Sequence, residues 1–141
     1  MASNCQALII MNECFECYEN GIVTIAKKEK QNNCKVWYNF CERNKENGVL
    51  CSGPKNQTRV EKNCMLSNNM KAGVCATDEA SIIISNNRIT GNFGQGVLLV
   101  ESTYAHVEKN IISANYKANI AFGGPSACDT VIINNEITES R

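Results

Sequence analysis

An asparagine recurs along this chain at Asn12, Asn39, Asn63, Asn87, Asn110 and Asn135, with spacings of 27, 24, 24, 23 and 25 residues. Three positions before each stands a β-branched aliphatic: Ile9, Val36, Val60, Ile84, Val107 and Ile132. Nine or ten residues after each asparagine comes a second column: Gly21-Ile22, Gly48-Val49, Gly73-Val74, Gly96-Val97 and Asn119-Ile120. Self-similarity at such a period marks a solenoid, because a unit this short has no way to bury an apolar face except against its own copies. Helical repeats are excluded by the runs SIII and GVLLV, which lack the apolar spacing of three and four that a helix face needs. Leucine-rich repeats share the period, but leucine is scarce here.

Each repeat reads as a short strand, an Asn turn, a shorter strand, a Gly corner, a third strand and a variable loop. Glycine or asparagine tolerates left-handed backbone angles at a corner, and a stiff β-branched side chain suits the strand that follows. A further column holds Asn44, Asn69, Asn92 and Asn115, with Cys17 in that place in the first repeat. The third repeat carries one additional residue, which the alignment on Asn63 puts between Asn63 and Gly73. Stacking the repeats at ~4.8 Å per coil gives three parallel sheets. The expected fold is therefore all-β: a right-handed parallel β-helix of five to six coils, three short strands per coil, forming a single domain over residues 1–141. In it the six asparagines from Asn12 to Asn135 stack as a structural ladder, each amide bonding those above and below.

Nine cysteines are too many by one for complete internal pairing, and no zinc set surrounds the C-x-x-C at Cys14 and Cys17. The columns supply another role for several of them. Cys14 and Cys41 align with Met65, Ile89, Ile112 and Ile137, and Cys51 aligns with Thr24, Ala76, Leu99 and Phe122. Reduced cysteines acting as small core hydrophobes in a cytoplasmic protein follow from this placement. The start, MASNCQALIIMNEC, has no basic region and too short an apolar run for a signal peptide, and no stretch approaches the ~20 apolar residues of a membrane-spanning helix. The formal net charge of zero removes the electrostatic argument for nucleic acid.

The columns, with N-x-I-x-x-N followed by a Gly-Val strand, resemble the repeats of the pectate-lyase-like β-helix superfamily. The closer resemblance is to its intracellular branch, the repeat domain of F-box β-helix proteins and related cytoplasmic or cytoskeletal proteins. It covers Ile9 to Arg141 and is strongest from Ser81 onward. It implies a fold and leaves function open between lyases, hydrolases and binding scaffolds. No F-box is present, so ubiquitin-ligase activity does not carry over.

Catalytic candidates are few. Asp78 and Asp129 are the only aspartates, and both fall in loops. The repeated Val-Glu-Lys-Asn puts Glu61 and Glu108 in one column with Ser85 between them, and Lys62 and Lys109 in the next. Repetition favours a mixed-charge outer face over a catalytic centre, which is normally a local exception to a repeat. Trp37, Tyr38 and Phe40 form an aromatic cluster suited to partner contact or sugar stacking. The sequon Asn56-Gln57-Thr58 is expected by chance in a chain with 20 asparagines. No catalytic, cofactor or metal residues are assigned, and no cofactor is expected.

The column shows no amphipathic cap and stops partway through a coil at Thr138 to Arg141. A non-catalytic structural subunit is expected from this, its ends and faces completed by other protein chains in an intracellular, cytoskeletal type of assembly. The alternatives are a carbohydrate-active or carbohydrate-binding β-helix protein and a fragment of a substrate-recognition scaffold. Neither nucleic acid nor membrane insertion is expected.

Overall fold

A computed structural model describes residues 5–101, 103–124 and 129–138. Ser102, the loop residues 125–128 with Cys128, and residues 139–141 lie outside the described residues, as do residues 1–4. The first coil holds β1 (Cys5–Ile10), β2 (Glu13–Phe15) and β3 (Ile22–Ile25). The second holds β4 (Asn32–Trp37), β5 (Phe40–Glu42) and β6 (Val49–Ser52). The third and fourth hold β7 (Asn56–Glu61), β8 (Met65–Ser67), β9 (Val74–Thr77), β10 (Ser81–Ser85), β11 (Arg88–Thr90) and β12 (Val97–Val100). The fifth is β13 (Tyr104–Glu108), β14 (Ile111–Ser113) and β15 (Ile120–Gly123), followed by β16 (Asp129–Ile133) and β17 (Glu136–Ile137).

Equivalent strands of successive coils pair in parallel. Sheet A runs β1-β4-β7-β10-β13-β16, sheet B runs β2-β5-β8-β11-β14-β17, and sheet C runs β3-β6-β9-β12-β15. Ile9, Val36, Val60, Ile84, Val107 and Ile132 stand in register in sheet A. Thr24, Cys51, Ala76, Leu99 and Phe122 do so in sheet C. The middle members of these columns form the core, with Val36, Val60, Ile84, Leu66, Ile89 and Leu99 fully buried. At each A-to-B corner a residue of positive φ bends the chain (Met11, Tyr38, Asn86, Lys109 and Asn134), and the next side chain turns inward.

Those inward side chains are the ladder, with one correction. Asn12, Asn39, Asn87, Asn110 and Asn135 occupy it, but in the third coil the place belongs to Cys64 and not to Asn63. The Cys64 N–H donates to Asn87 Oδ1 at 3.1 Å, and Asn39 N–H reaches Cys64 Sγ at 3.5 Å. Lys62 and Asn63 are both left-handed, φ 63° and 64°, so the additional residue sits in this turn and not after it. Asn63 faces solvent. The shift also exchanges Met65 for Leu66 in the inward column, between Cys41 and Ile89. The sequence held a signal for it: Cys64 precedes Asn69 by five residues, as Asn39 precedes Asn44 and Asn87 precedes Asn92.

A second ladder runs through the B-to-C corners. Cys17 N–H donates to Asn44 Oδ1, and the bonds continue from Asn44 to Asn69, Asn92 and Asn115 at 2.9–3.1 Å. Each amide also donates to a carbonyl one coil back, as Asn69 does to Cys41 and Asn92 to Leu66. The glycines beside this ladder need correction too. Gly21, Gly48, Gly73 and Gly96 do not have positive φ. They are required by close approach: a Cβ on Gly48 would lie 2.7 Å from the Gly73 carbonyl oxygen and 3.0 Å from Asn69 Nδ2.

Cys64 interrupts the first ladder, since a thiol gives Asn39 Nδ2 no strong acceptor. The Cys64→Asn substitution is expected to add amide bonds on both sides and raise the unfolding free energy by about 1 kcal/mol. Urea unfolding of the two proteins measures it. A loss of stability would mean that the two-residue turn holds the backbone too far from its neighbours for an amide to bridge.

Candidate functional site

The outer face of sheet A collects most of the chemically capable side chains. One outward column is Asn33, Gln57, Ser81, Tyr104 and Asp129, and the next is Lys35, Arg59, Ile83, His106 and Val131. Between them lies an open groove of about 420 Å³, lined by Gln57, Arg59, Ser81, Tyr104, His106 and Asp129 among others. A polar column beside a partly cationic one makes a surface that offers hydrogen bonds along its length.

The third outward column is Trp37, Glu61, Ser85 and Glu108. Glu61 and Glu108 are thus two strands apart, ~10 Å from the strand spacing. Each carboxylate has its own partner. Trp37 Nε1–H donates to Glu61 Oε2 at 3.2 Å, and Arg59 Nη1 lies 3.6 Å from Glu61 Oε1. His106 Nε2 is 3.5 Å from Glu108 Oε2. Lys62 Nζ sits 3.6 Å above the Trp37 ring. The face is a set of local pairs along the solenoid, without two acids converging on one point.

Asp78 and Asp129 occupy different surfaces. Asp129 opens β16 on sheet A, whereas Asp78 stands at the C-to-A corner, where Ser52 Oγ–H donates to it at 2.7 Å. Glu101 stacks on Asp78 one coil along. A hydrogen bond from the Glu101 carboxyl to Asp78, with the charge of Asp78 beside it, holds the Glu101 pKa above the ordinary carboxylate value. The aromatic cluster is split as well. Trp37 ends β4 on sheet A, Tyr38 is the exposed left-handed turn residue, and Phe40 packs edge-on against Phe15 on sheet B at 5.5 Å.

The eight described cysteines carry free thiols. Burial raises the pKa of Cys14, Cys34, Cys41, Cys51 and Cys64, and pushes Cys75 up to about 11. Thiols so shifted are poor nucleophiles and poor metal ligands at neutral pH. Among the described residues no group of three or more His, Cys, Asp or Glu is placed to hold a metal ion. Cys17 occupies the first rung of the second ladder. Asn56 of the sequon is fully buried and donates to the carbonyls of Thr24 and Ser52, so in the folded chain its amide is already engaged. No helix among the described residues is long and apolar enough to cross a membrane.

Three parallel sheets wound from one repeating coil, filled by aliphatic columns and Asn ladders, define the class: a parallel β-solenoid. The family model for the right-handed β-helix region matches residues 1–141, and the chain belongs to that family. No curated protein and no solved structure matches it.

Proposed function

We propose that this chain is a non-catalytic structural subunit that binds other protein chains within an intracellular assembly, with the cytoskeleton as the setting named by its sequence resemblance. The observation that carries this reading is the open sheet edge. Among the described residues, strands β1, β2 and β3 at one end, and β15, β16 and β17 at the other, have a strand neighbour on one side only. The same coils expose Leu8, Ile10, Met11 and Phe15 at one end and Phe122, Ile132 and Ile137 at the other. Unpaired backbone beside an apolar row is a template for strand addition by a partner. Unpaired, shifted-up thiols suit a reducing compartment. The locally paired charges of sheet A support a non-catalytic face.

Affinity capture of the tagged chain from its native cell extract, followed by mass spectrometry, tests the reading. A stoichiometric set of proteins is expected, and Leu8→Lys with Ile10→Lys, both at outward positions of edge strand β1, should remove it by adding charges that block strand addition. Recovery of the chain alone would sink the proposal. The groove on sheet A supports a second reading, a carbohydrate-binding surface with Tyr104 as the stacking ring. A glycan screen tests it, with Tyr104→Ala expected to abolish any binding found.

A further inference from the structure

The outward face of sheet C differs from the other two. Val23, Leu50, Cys75, Leu98 and Ala121 form one outward column, and the second is Ile25, Ser52, Thr77, Val100 and Gly123. No outward position of this sheet is charged, whereas sheet A presents Arg59, Glu61 and Glu108 and sheet B presents Glu42 and Arg88. Val23 is 41% exposed and Ile25 60% exposed. A parallel sheet is ordinarily covered on both faces, and no strand among the described residues packs on the outer face of this one.

The two borders of the sheet identify what fits it. Along the B-to-C corner a single column reads Glu19, Glu46, Lys71, Gly94 and Lys117, each bonded through the backbone to the next. It is acidic in the early coils and basic in the late ones, with Lys71 Nζ donating to Glu46 Oε1 at 2.7 Å where the two halves meet. Along the C-to-A corner the order is reversed: Lys27, Lys28, Lys30 and Lys55 outnumber Glu29 in the early coils, and Asp78, Glu79 and Glu101 belong to the late ones. An apolar strip bordered by two opposite charge gradients is self-complementary. A two-fold axis in the plane of the face, along or across the strands, brings acids opposite lysines on both borders. Asp78 stands beside Glu101 on this border and holds the Glu101 pKa above the ordinary carboxylate value.

We propose that a second copy of this chain packs face to face on sheet C, forming a two-fold dimer. Symmetry of this kind is the usual one for soluble oligomers. Five strands of four residues span roughly 13 by 24 Å, about 300 Å² of uncharged, mostly apolar face. A standard interface takes ~800 Å² per partner, so the strip is the dry centre and the charged corners are the rim. This goes beyond the proposed function, because it uses a side face and leaves the coil ends free.

Analytical ultracentrifugation of the purified chain up to ~100 μM is the test. A dimer is expected, with Val23→Glu and Leu98→Glu each weakening it at least ~30-fold while far-UV circular dichroism stays unchanged, since both side chains point outward. Lys71→Glu with Lys117→Glu should weaken it several-fold at low salt and little at high salt. A wild-type monomer throughout, or a dimer that survives the folded Val23→Glu protein, would overturn the proposal. Open-ended oligomers indifferent to both substitutions would overturn it as well, by assigning association to the coil ends. The Leu8→Lys, Ile10→Lys protein should still dimerise, so loss of partner capture and loss of the dimer are separate results.

Discussion

Asn92→Ala is expected to lower the unfolding free energy by roughly 3–5 kcal/mol, a large part of the ~5–15 kcal/mol that a domain has. Asn92 is fully buried in the fourth coil. Its Oδ1 accepts from the Asn69 N–H at 3.0 Å and from Asn69 Nδ2 at 2.9 Å. Its Nδ2 donates to the Leu66 carbonyl at 3.1 Å and to Asn115 Oδ1 at 2.9 Å. Removing the amide leaves the Asn69 N–H and one amide hydrogen of Asn69 unpaired far from water, and takes one bond from the Leu66 carbonyl. Each buried group so orphaned costs about 1–3 kcal/mol. The control is Asn12→Ala. Asn12 donates to Asn39 Oδ1 from the first coil, but it is exposed, and water replaces what the substitution removes. A cost near 0.5 kcal/mol is expected there, the low end for a solvated hydrogen bond. Urea unfolding of both proteins decides the matter, and equal losses would refute the ladder as a source of stability.

Gly96→Ala is expected to cost about 3 kcal/mol, at the upper end for overpacking. A Cβ there would stand 2.5 Å from the Asn119 carbonyl oxygen, 2.7 Å from Asn115 Nδ2 and 2.7 Å from Ile112 Cγ2. The first is backbone, and it accepts the Val97 N–H at 2.8 Å, so relief requires the fourth and fifth coils to separate where sheet C begins. Gly123→Ala is the matched comparison. Its Cβ would meet only side-chain atoms at 3.5 Å or more, and the change should be within ~0.5 kcal/mol. Thermal unfolding of the pair separates close approach from glycine's general flexibility. Similar losses at both positions would point to flexibility.

Both effects arise from the same geometry. The second ladder draws each Asn amide against the corner of the coil behind it, and only a residue without a side chain leaves room there. The glycine that opens sheet C in successive coils is therefore a consequence of the Asn column: it stands four residues after the Asn of its own coil and against the amide of the Asn in the next. The residue type was readable in the sequence, but the reason was not. A corner glycine is ordinarily required by positive φ, and here the positive-φ positions are filled by residues such as Arg43, Asn68 and Ala114.

The sequence by itself determined the repeat, the three-strand coil and the inward aliphatic columns. It could do so because every coil meets a copy of itself, so the same local chemistry has to recur at the same place. The position of one additional residue was confirmed by the tertiary structure. Counted from the first Asn column, either Asn63 or its neighbour Cys64 fits; counted back five from Asn69, Cys64 fits, and the hydrogen bonds of Asn39 and Asn87 select it. The site depended on tertiary structure even more. Whether a residue of GVLLV faces the core or solvent depends on a two-residue alternation that apolar residues on both faces conceal. The bare outer face of sheet C, the separation of Asp78 from Asp129, and the charge gradients along its borders arise from how coils of unequal loop length stack. No single repeat contains that information.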